Sequence, residues 1–162
     1  MSSNAGGGMT PTDNRAYPER PIVAVGGVVV HESRVLLIRR GQPPMEGRWS
    51  IPGGILKLGE TIAEGIEREL REETGVQVRV LELIEIYEKV FRDRDDLLQY
   101  HFVILDYLCE FVEGTAEPGG DVTEVQWASE QELDGLALTG AAKHVICKAF
   151  STLRGRAAGQ RT

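Results

Sequence analysis

The chain has 162 residues and a formal net charge of −7, with 27% charged and 41% hydrophobic residues. Those values fit one soluble globular domain with a proper core and leave little length for a second. The acidic balance gives no long-range attraction for polyanionic nucleic acid, and any phosphate-bearing ligand needs cations placed to meet it.

Residues 1–20 contain Gly6-Gly7-Gly8, prolines and scattered polar residues without periodicity, which predicts a flexible arm. No apolar run reaches the ~18 residues of a membrane span. The N-terminus also lacks the apolar core of a signal peptide, so a cytoplasmic protein without membrane contact is expected. Cys109 and Cys147 sit in apolar runs without a Cys-x-x-Cys, the pattern of inert core thiols in a reducing compartment.

Residues 22–30 and 35–38 are unbroken apolar runs around His31-Glu32-Ser33-Arg34, which predicts two buried strands joined by a short turn. His31 is expected in solvent. Arg39 and Arg40 end the second strand, and residues 41–49 form a loop. Arg39, Arg40 and Lys57 are candidate phosphate contacts, with a solvated surface as the equal alternative. Trp49 belongs to the core or to a pocket wall, close enough to the following turn to touch a substrate.

Residues 61–74 read as one amphipathic helix. Thr61 serves as N-cap with Glu64 completing a capping box, and Gly75 stands where a left-handed residue ends the helix. Ile62, Ala63, Ile66 and Leu70 share one apolar stripe. Glu69, Glu72 and Glu73 line its edge at i, i+3 and i+4, while Glu64, Glu67 and Arg71 point to solvent. Like charges in one patch cost free energy unless something positive sits among them. A hard divalent cation, Mg2+ or Mn2+, suits three such carboxylates. Gly65, expensive in mid-helix, is read as leaving room for a bound species. A helix rich in Glu simply because Glu favours helices fits as well, and the helix alone leaves both readings open.

Beyond it, residues 76–90 suggest one or two strands, 91–97 a charged loop, 100–111 a long strand and 124–128 a short one. Ser129 and Glu132 form a second capping box. A last helix over 139–154 carries Val145, Ile146, Ala149, Phe150 and Leu153 on its core stripe, and 155–162 form a flexible tail. His101 reads as a satisfied strand histidine, and Asp106 interrupts the apolar strand without an evident role. This order of elements is α/β or α+β with a mixed sheet.

Gly54, Glu60, Arg68, Glu69, Leu70, Glu72, Glu73, Gly75 and Val76 fill every specified position of the pattern Gly-x5-Glu-x7-Arg-Glu-U-x-Glu-Glu-x-Gly-U, U being aliphatic. The stretch resembles the Nudix box, and the preceding Trp49-Ser50-Ile51-Pro52-Gly53 looks like the lead-in of that family. The resemblance implies an α/β/α sandwich over 21–154 and a Mg2+- or Mn2+-dependent hydrolase. Its ligands would be Glu69, Glu72, Glu73 and the Gly54 carbonyl, with Arg68 orienting an acid. Glu60 is either a water-bridged metal contact or an acid favoured at the positive helix end. Glu110, an acid between Cys109 and Phe111, resembles the extra carboxylate of MutT-type members as metal ligand or base, with a strand-end surface acid as the alternative. The implied substrate is a nucleoside diphosphate linked to another group, ADP-ribose-like. A (d)NTP pyrophosphohydrolase and a non-catalytic nucleotide-binding regulator are the alternatives. The Pro that ADP-ribose hydrolases of the family often carry beyond the box is absent; Val90 and Phe91 stand in that region. A homodimer is left open.

Overall fold

The computed structural model describes residues 15–161. Strands β1 (Ile22–His31) and β2 (Arg34–Arg40) form a hairpin, its turn made by Glu32 and Ser33 at positive φ. Short strands β3 (Trp49–Ser50) and β4 (Gly53–Ile55) lead to helix α1 (Ile62–Thr74). Two strands of sixteen residues follow, β5 (Gln77–Arg92) and β6 (Leu98–Glu113), then β7 (Val122–Ser129). A 3-10 turn, Glu130–Gly135, precedes helix α2 (Gly140–Gly159).

The strands lie in the order β3-β2-β1-β6-β5, with β4 joined to β1 and β7 to β2. The pairs are antiparallel except β1 with β6, which makes the sheet mixed. Side chains alternate across the strands and so feed two cores. Val25, Val29, Leu36 and Cys109 pack under Ile66 and Leu70 of α1. Val28, Val35, Leu37 and Leu108 pack under Val145, Ile146 and Phe150 of α2. The sheet is thus the middle layer between two helices. Among the described residues, no helix is long and apolar enough to cross a membrane.

β1 and β2 pair only at Val30↔Val35 and His31↔Arg34. Below that point β1 takes β4 as its neighbour, at Ala24↔Ile55 through Gly26↔Gly53. The parting of the two strands opens the cleft described below.

In α1 the expected caps form. Thr61 Oγ1 accepts from the Glu64 N–H at 3.2 Å, Glu64 accepts from the Thr61 N–H at 2.7 Å, and Gly75 has φ 71°. The buried residues are Gly65, Ile66, Leu70 and Thr74, whereas Ala63, expected on the stripe, is exposed. Gly65 serves packing rather than a bound species, because a Cβ there would lie 2.6 Å from Leu56 Cδ1.

Other expectations shift. Residues 77–90 belong to a single strand, and β5 and β6 extend into the charged segment until only residues 93–97 turn. Helix α2 runs to Gly159, through residues read as a tail. Of the expected arm, residues 1–14 lie outside the described residues, as does Thr162 of the tail. Tyr17, inside the arm, is fastened: its N–H donates to Gln99 O and its hydroxyl to Asp93, both at 2.8 Å. His31 is not simply solvated, since its ring lies 4.3 Å from that of Phe111. Cys109 is buried, and burial pushes its thiol up to about 12, but Cys147 is exposed.

Candidate active site

A cleft of about 570 Å³ lies where β1 and β2 part, walled by β4, α1, β5 and β6. Its α1 wall follows from helical spacing. Leu70 is locked under the sheet, which turns its neighbours Glu69 and Glu73 toward the Gly53-Gly54 turn. Glu73 Oε2 accepts from the Gly53 N–H at 2.9 Å. The Glu69 carboxylate lies against Gly54, where a Cβ would stand 2.5 Å from the carboxyl carbon. Only glycine permits that approach.

Burial pushes the Glu73 carboxyl up to about 8, and the charges of Glu69 and Asp121 push the same way. The Gly53 N–H and the Arg40 guanidinium oppose the shift without cancelling it. Arg40 is itself mostly buried on the facing wall, and desolvation lowers its pKa.

Arg68 stands behind the acids as a brace. Its guanidinium donates to Glu69 at 2.7 Å, to Glu72 at 3.2 Å and to the Ile55 carbonyl at 3.1 Å. It also makes two bonds to Glu60, one of them at 3.0 Å from Nη2. The Arg68 bonds and the Lys57 N–H hold the Glu60 carboxyl down at about 2, and the acids raise the Arg68 pKa in return. This network fixes the loop before α1 to the helix and sets the orientation of Glu69.

The structure therefore brings Gly54, Glu69, Glu73 and Arg40 to the cleft wall and keeps Glu60 and Arg68 behind it. Glu72 is half exposed and engaged by Arg68. Four candidates do not reach the cleft. Arg39 alternates to the opposite face from Arg40 and pairs with Glu124 at 2.6 Å. Trp49, 8% exposed, fills the core beneath α2. Lys57 is exposed and contributes its backbone N–H to Glu60 at 2.8 Å. Glu110 is exposed and ion-paired with Arg79, its cross-strand partner on β5. Neither the metal nor the base role expected of Glu110 fits that position.

The cleft residues not found from sequence include Arg15, Asp106, Tyr87, Lys89 and Asp121. Asp106 carried a signal, an acid inside an apolar strand. Tyr87 and Lys89 share a face of β5 by period-two spacing, but nothing in their local sequence sets that face apart.

A divalent cation can be tested against these groups. Among the described residues, no three His, Cys, Asp or Glu side chains already stand as a ligating array. Glu69 and Glu73 nevertheless present hard carboxylate oxygens against one glycine pair, and Glu73 is held buried beside a like charge. That donor chemistry fits Mg2+ or Mn2+.

The profile of the NUDIX domain family matches residues 20–148. A MutT-like protein of Streptomyces ambofaciens is 34% identical over 149 residues, covering 85% of this chain and 90% of that protein. An ADP-ribose pyrophosphatase of Methanocaldococcus jannaschii is 32% identical over 117 residues, covering 72% and 67%. The crystal structure of a MutT NUDIX hydrolase from Burkholderia pseudomallei superposes with a TM-score of 0.68 at 26% identity, covering 80% and 98%. A box helix with every specified residue, a sheet between two helices and a match over most of the chain agree: this protein belongs to the Nudix hydrolase family.

Proposed function

We propose that this Nudix hydrolase is a divalent-metal-dependent pyrophosphatase. Its substrate is a nucleoside diphosphate linked to a second group, of the ADP-ribose type. The observation that carries the reading is the convergence of Glu69 and Glu73 on Gly53-Gly54, across the cleft from Arg40. Two acids that repel each other face the half-buried Arg40, an arrangement that suits a polyanion and its counter-ion better than it suits a resting surface.

Glu69, Glu72, Glu73 and the Gly54 carbonyl would hold the cation, Mg2+ or Mn2+, which when bound supplies charge neutralisation and Lewis acidity toward the diphosphate. Arg40 and Lys89 offer the positive charge for the remaining phosphate oxygens. Arg68 keeps Glu69 in place through the bonds described above. Glu69 or Glu73 takes the proton of the attacking water, and burial gives Glu73 the basicity for it against the opposing Gly53 N–H. Positioning and charge neutralisation account for most of the acceleration, as is general for phosphoryl chemistry.

The named activity of the Methanocaldococcus relative supports the ADP-ribose choice. A (d)NTP pyrophosphohydrolase is the second reading, favoured by the near full-length match to a MutT-like protein. The full set of box acids speaks against a regulator without catalysis. Both cysteines are free thiols, which goes with a cytoplasmic location. The test is a substrate panel with Mg2+ and with EDTA, products identified by chromatography. ADP-ribose should yield AMP and ribose 5-phosphate, and EDTA should abolish it. Preferential release of pyrophosphate from a dNTP selects the second reading, and no hydrolysis of any compound overturns both.

A further inference from the structure

Away from the box acids, the same cleft ends on a buried carboxylate that the reaction above does not use. Asp106 of β6 is 1% exposed, and its Oδ2 has no hydrogen-bond partner. Its Oδ1 is pressed to the backbone of β1, where a Cβ on Gly26 would come within 2.3 Å. The parallel register sets Asp106 opposite Gly26, so the chain gives up a side chain on β1 to admit this acid. A buried acceptor left unpaired costs on the order of 1–3 kcal/mol, more when charged. Lys89 and the Tyr87 hydroxyl offset part of that cost, but Oδ2 itself stays unpaired.

The neighbours show what kind of partner is missing. Lys89, Tyr87 and Glu85 of β5 are the charged and polar groups facing Asp106, whereas Glu69, Arg40, Asp121 and the Gly53 N–H face Glu73. The two acids line one cleft but share no charged neighbour, so Asp106 lies outside the patch proposed to hold the cation. Arg40 bridges the two ends, since it acts on Glu73 as well as on Tyr87 and Lys89. A ligand running along the cleft thus meets acids at the α1 end, cations at Arg40 and Lys89, and an open acceptor at Asp106.

We infer that Asp106 is a specificity residue, taking a hydrogen bond from a neutral hydroxyl or amine on the non-phosphate half of the substrate while Arg40 and Lys89 hold the diphosphate. This rests on the diphosphatase reading for its substrate class, but its test reads binding and stability rather than turnover. A site with a buried acceptor rejects ligands that leave it unpaired far more strongly than an apolar pocket rejects a missing methylene.

The experiment measures binding of ADP-ribose and of pyrophosphate, each with its bridging oxygen replaced by methylene so that the proposed reaction cannot cleave it, by calorimetry in Mg2+, with thermal melts of each metal-free protein. Wild type is compared with Asp106→Asn and Asp106→Leu. ADP-ribose should bind both variants about 10-fold more weakly, the equivalent of one buried hydrogen bond. Pyrophosphate, which carries no hydroxyl or amine beyond the phosphates, should bind all three alike. Melting temperatures should hold or rise, because an unpaired buried carboxylate has been removed. Unchanged ADP-ribose affinity overturns the inference. So does a fall in melting temperature with parallel loss of both ligands, which marks a structural residue, and so does a wild type that binds ADP-ribose no better than pyrophosphate. Failure to hydrolyse any diphosphate removes the proposed reaction and leaves these binding and melting results to be read on their own.

Discussion

Helices α1 and α2 cover opposite faces of one sheet, and they treat charge in opposite ways. The polar residues of α2 find partners on other elements near the surface. Lys143 meets Asp134 at 2.8 Å, His144 and Lys148 meet Glu85 at 3.0 and 2.7 Å, and Arg154 meets Glu130 at 2.8 Å. Each of those acids lies elsewhere in the chain, and each pair is wet enough to be worth little. In α1 the acids crowd one edge. Arg68 pairs with Glu60, Glu69 and Glu72 together, while Glu73 sits half-buried beside the like charge of Glu69. A helix that only closes the sandwich has no reason to keep that strain. The difference separates a packing helix from a working one inside the same architecture.

The largest effect should come from the working helix. Glu73→Gln should lower kcat by more than about 100-fold, since even residues that merely support a metal ligand are worth 10–100-fold. Its metal-free melting temperature should not fall, because the amide keeps the bond from the Gly53 N–H and cannot carry the charge that burial disfavours. The packing helix should do the reverse. Ile146, fully buried, should cost about 2–5 kcal/mol of stability on truncation to Ala. The kinetics of Ile146→Ala, measured where it remains folded, should match wild type. An activity loss as large as that of Glu73→Gln would erase the distinction between the helices.

Much of this contrast was legible in the sequence, because its causes are local. The capping box, the left-handed Gly75 and the spacing of Glu69, Glu72 and Glu73 all lie within one short segment, and the hairpin was marked by two apolar runs around a polar turn. What was not legible depends on which strand lies beside which. Glu110 and Asp106 are both acids in one strand and differ by an even number of positions, so pleat alone puts them on the same side. One ends beside Arg79 in solvent, the other beneath the cleft opposite Gly26. Only the register of β1, β5 and β6 tells them apart. Trp49 and Arg39 were left with two readings each for the same reason, because alternation within a two-residue or seven-residue strand does not say which face holds the cleft.

A smaller effect sharpens the role of the brace. Arg68→Ala should reduce kcat/KM by about 10–100-fold. Lys at this position should recover little, since a point charge cannot serve several carboxylates and a carbonyl as a planar fork does.

The buried acid on β6 supplies a pH signature. Burial raises the Asp106 carboxyl to about 7, so the folded state holds a proton that the unfolded chain has already released. Stability from this group is present below the unfolded value near 4 and is lost as pH rises toward 7, at a slope of at most about 1.4 kcal/mol per pH unit. Metal-free Asp106→Asn should therefore gain on wild type across that window and run parallel to it above. A constant difference at every pH would show that Asp106 stays ionised in the fold.

The smallest effect belongs to the misread acid. Glu110→Gln should leave kcat/KM within twofold and change stability by no more than about 1 kcal/mol, as for other exposed ion pairs.

The central claim is that Glu69 and Glu73 beside Gly53-Gly54 form the seat of a divalent cation. Thermal melts of wild type and Glu73→Gln across a Mg2+ series test it without a substrate. A cation that binds only the folded protein stabilises it by RT ln(1 + [L]/Kd), so the wild-type melting temperature should climb with Mg2+ while the variant stays nearly flat. Equal increments in the two proteins would mean that Mg2+ binds elsewhere, and the crowded edge of α1 would then have to be explained without a metal.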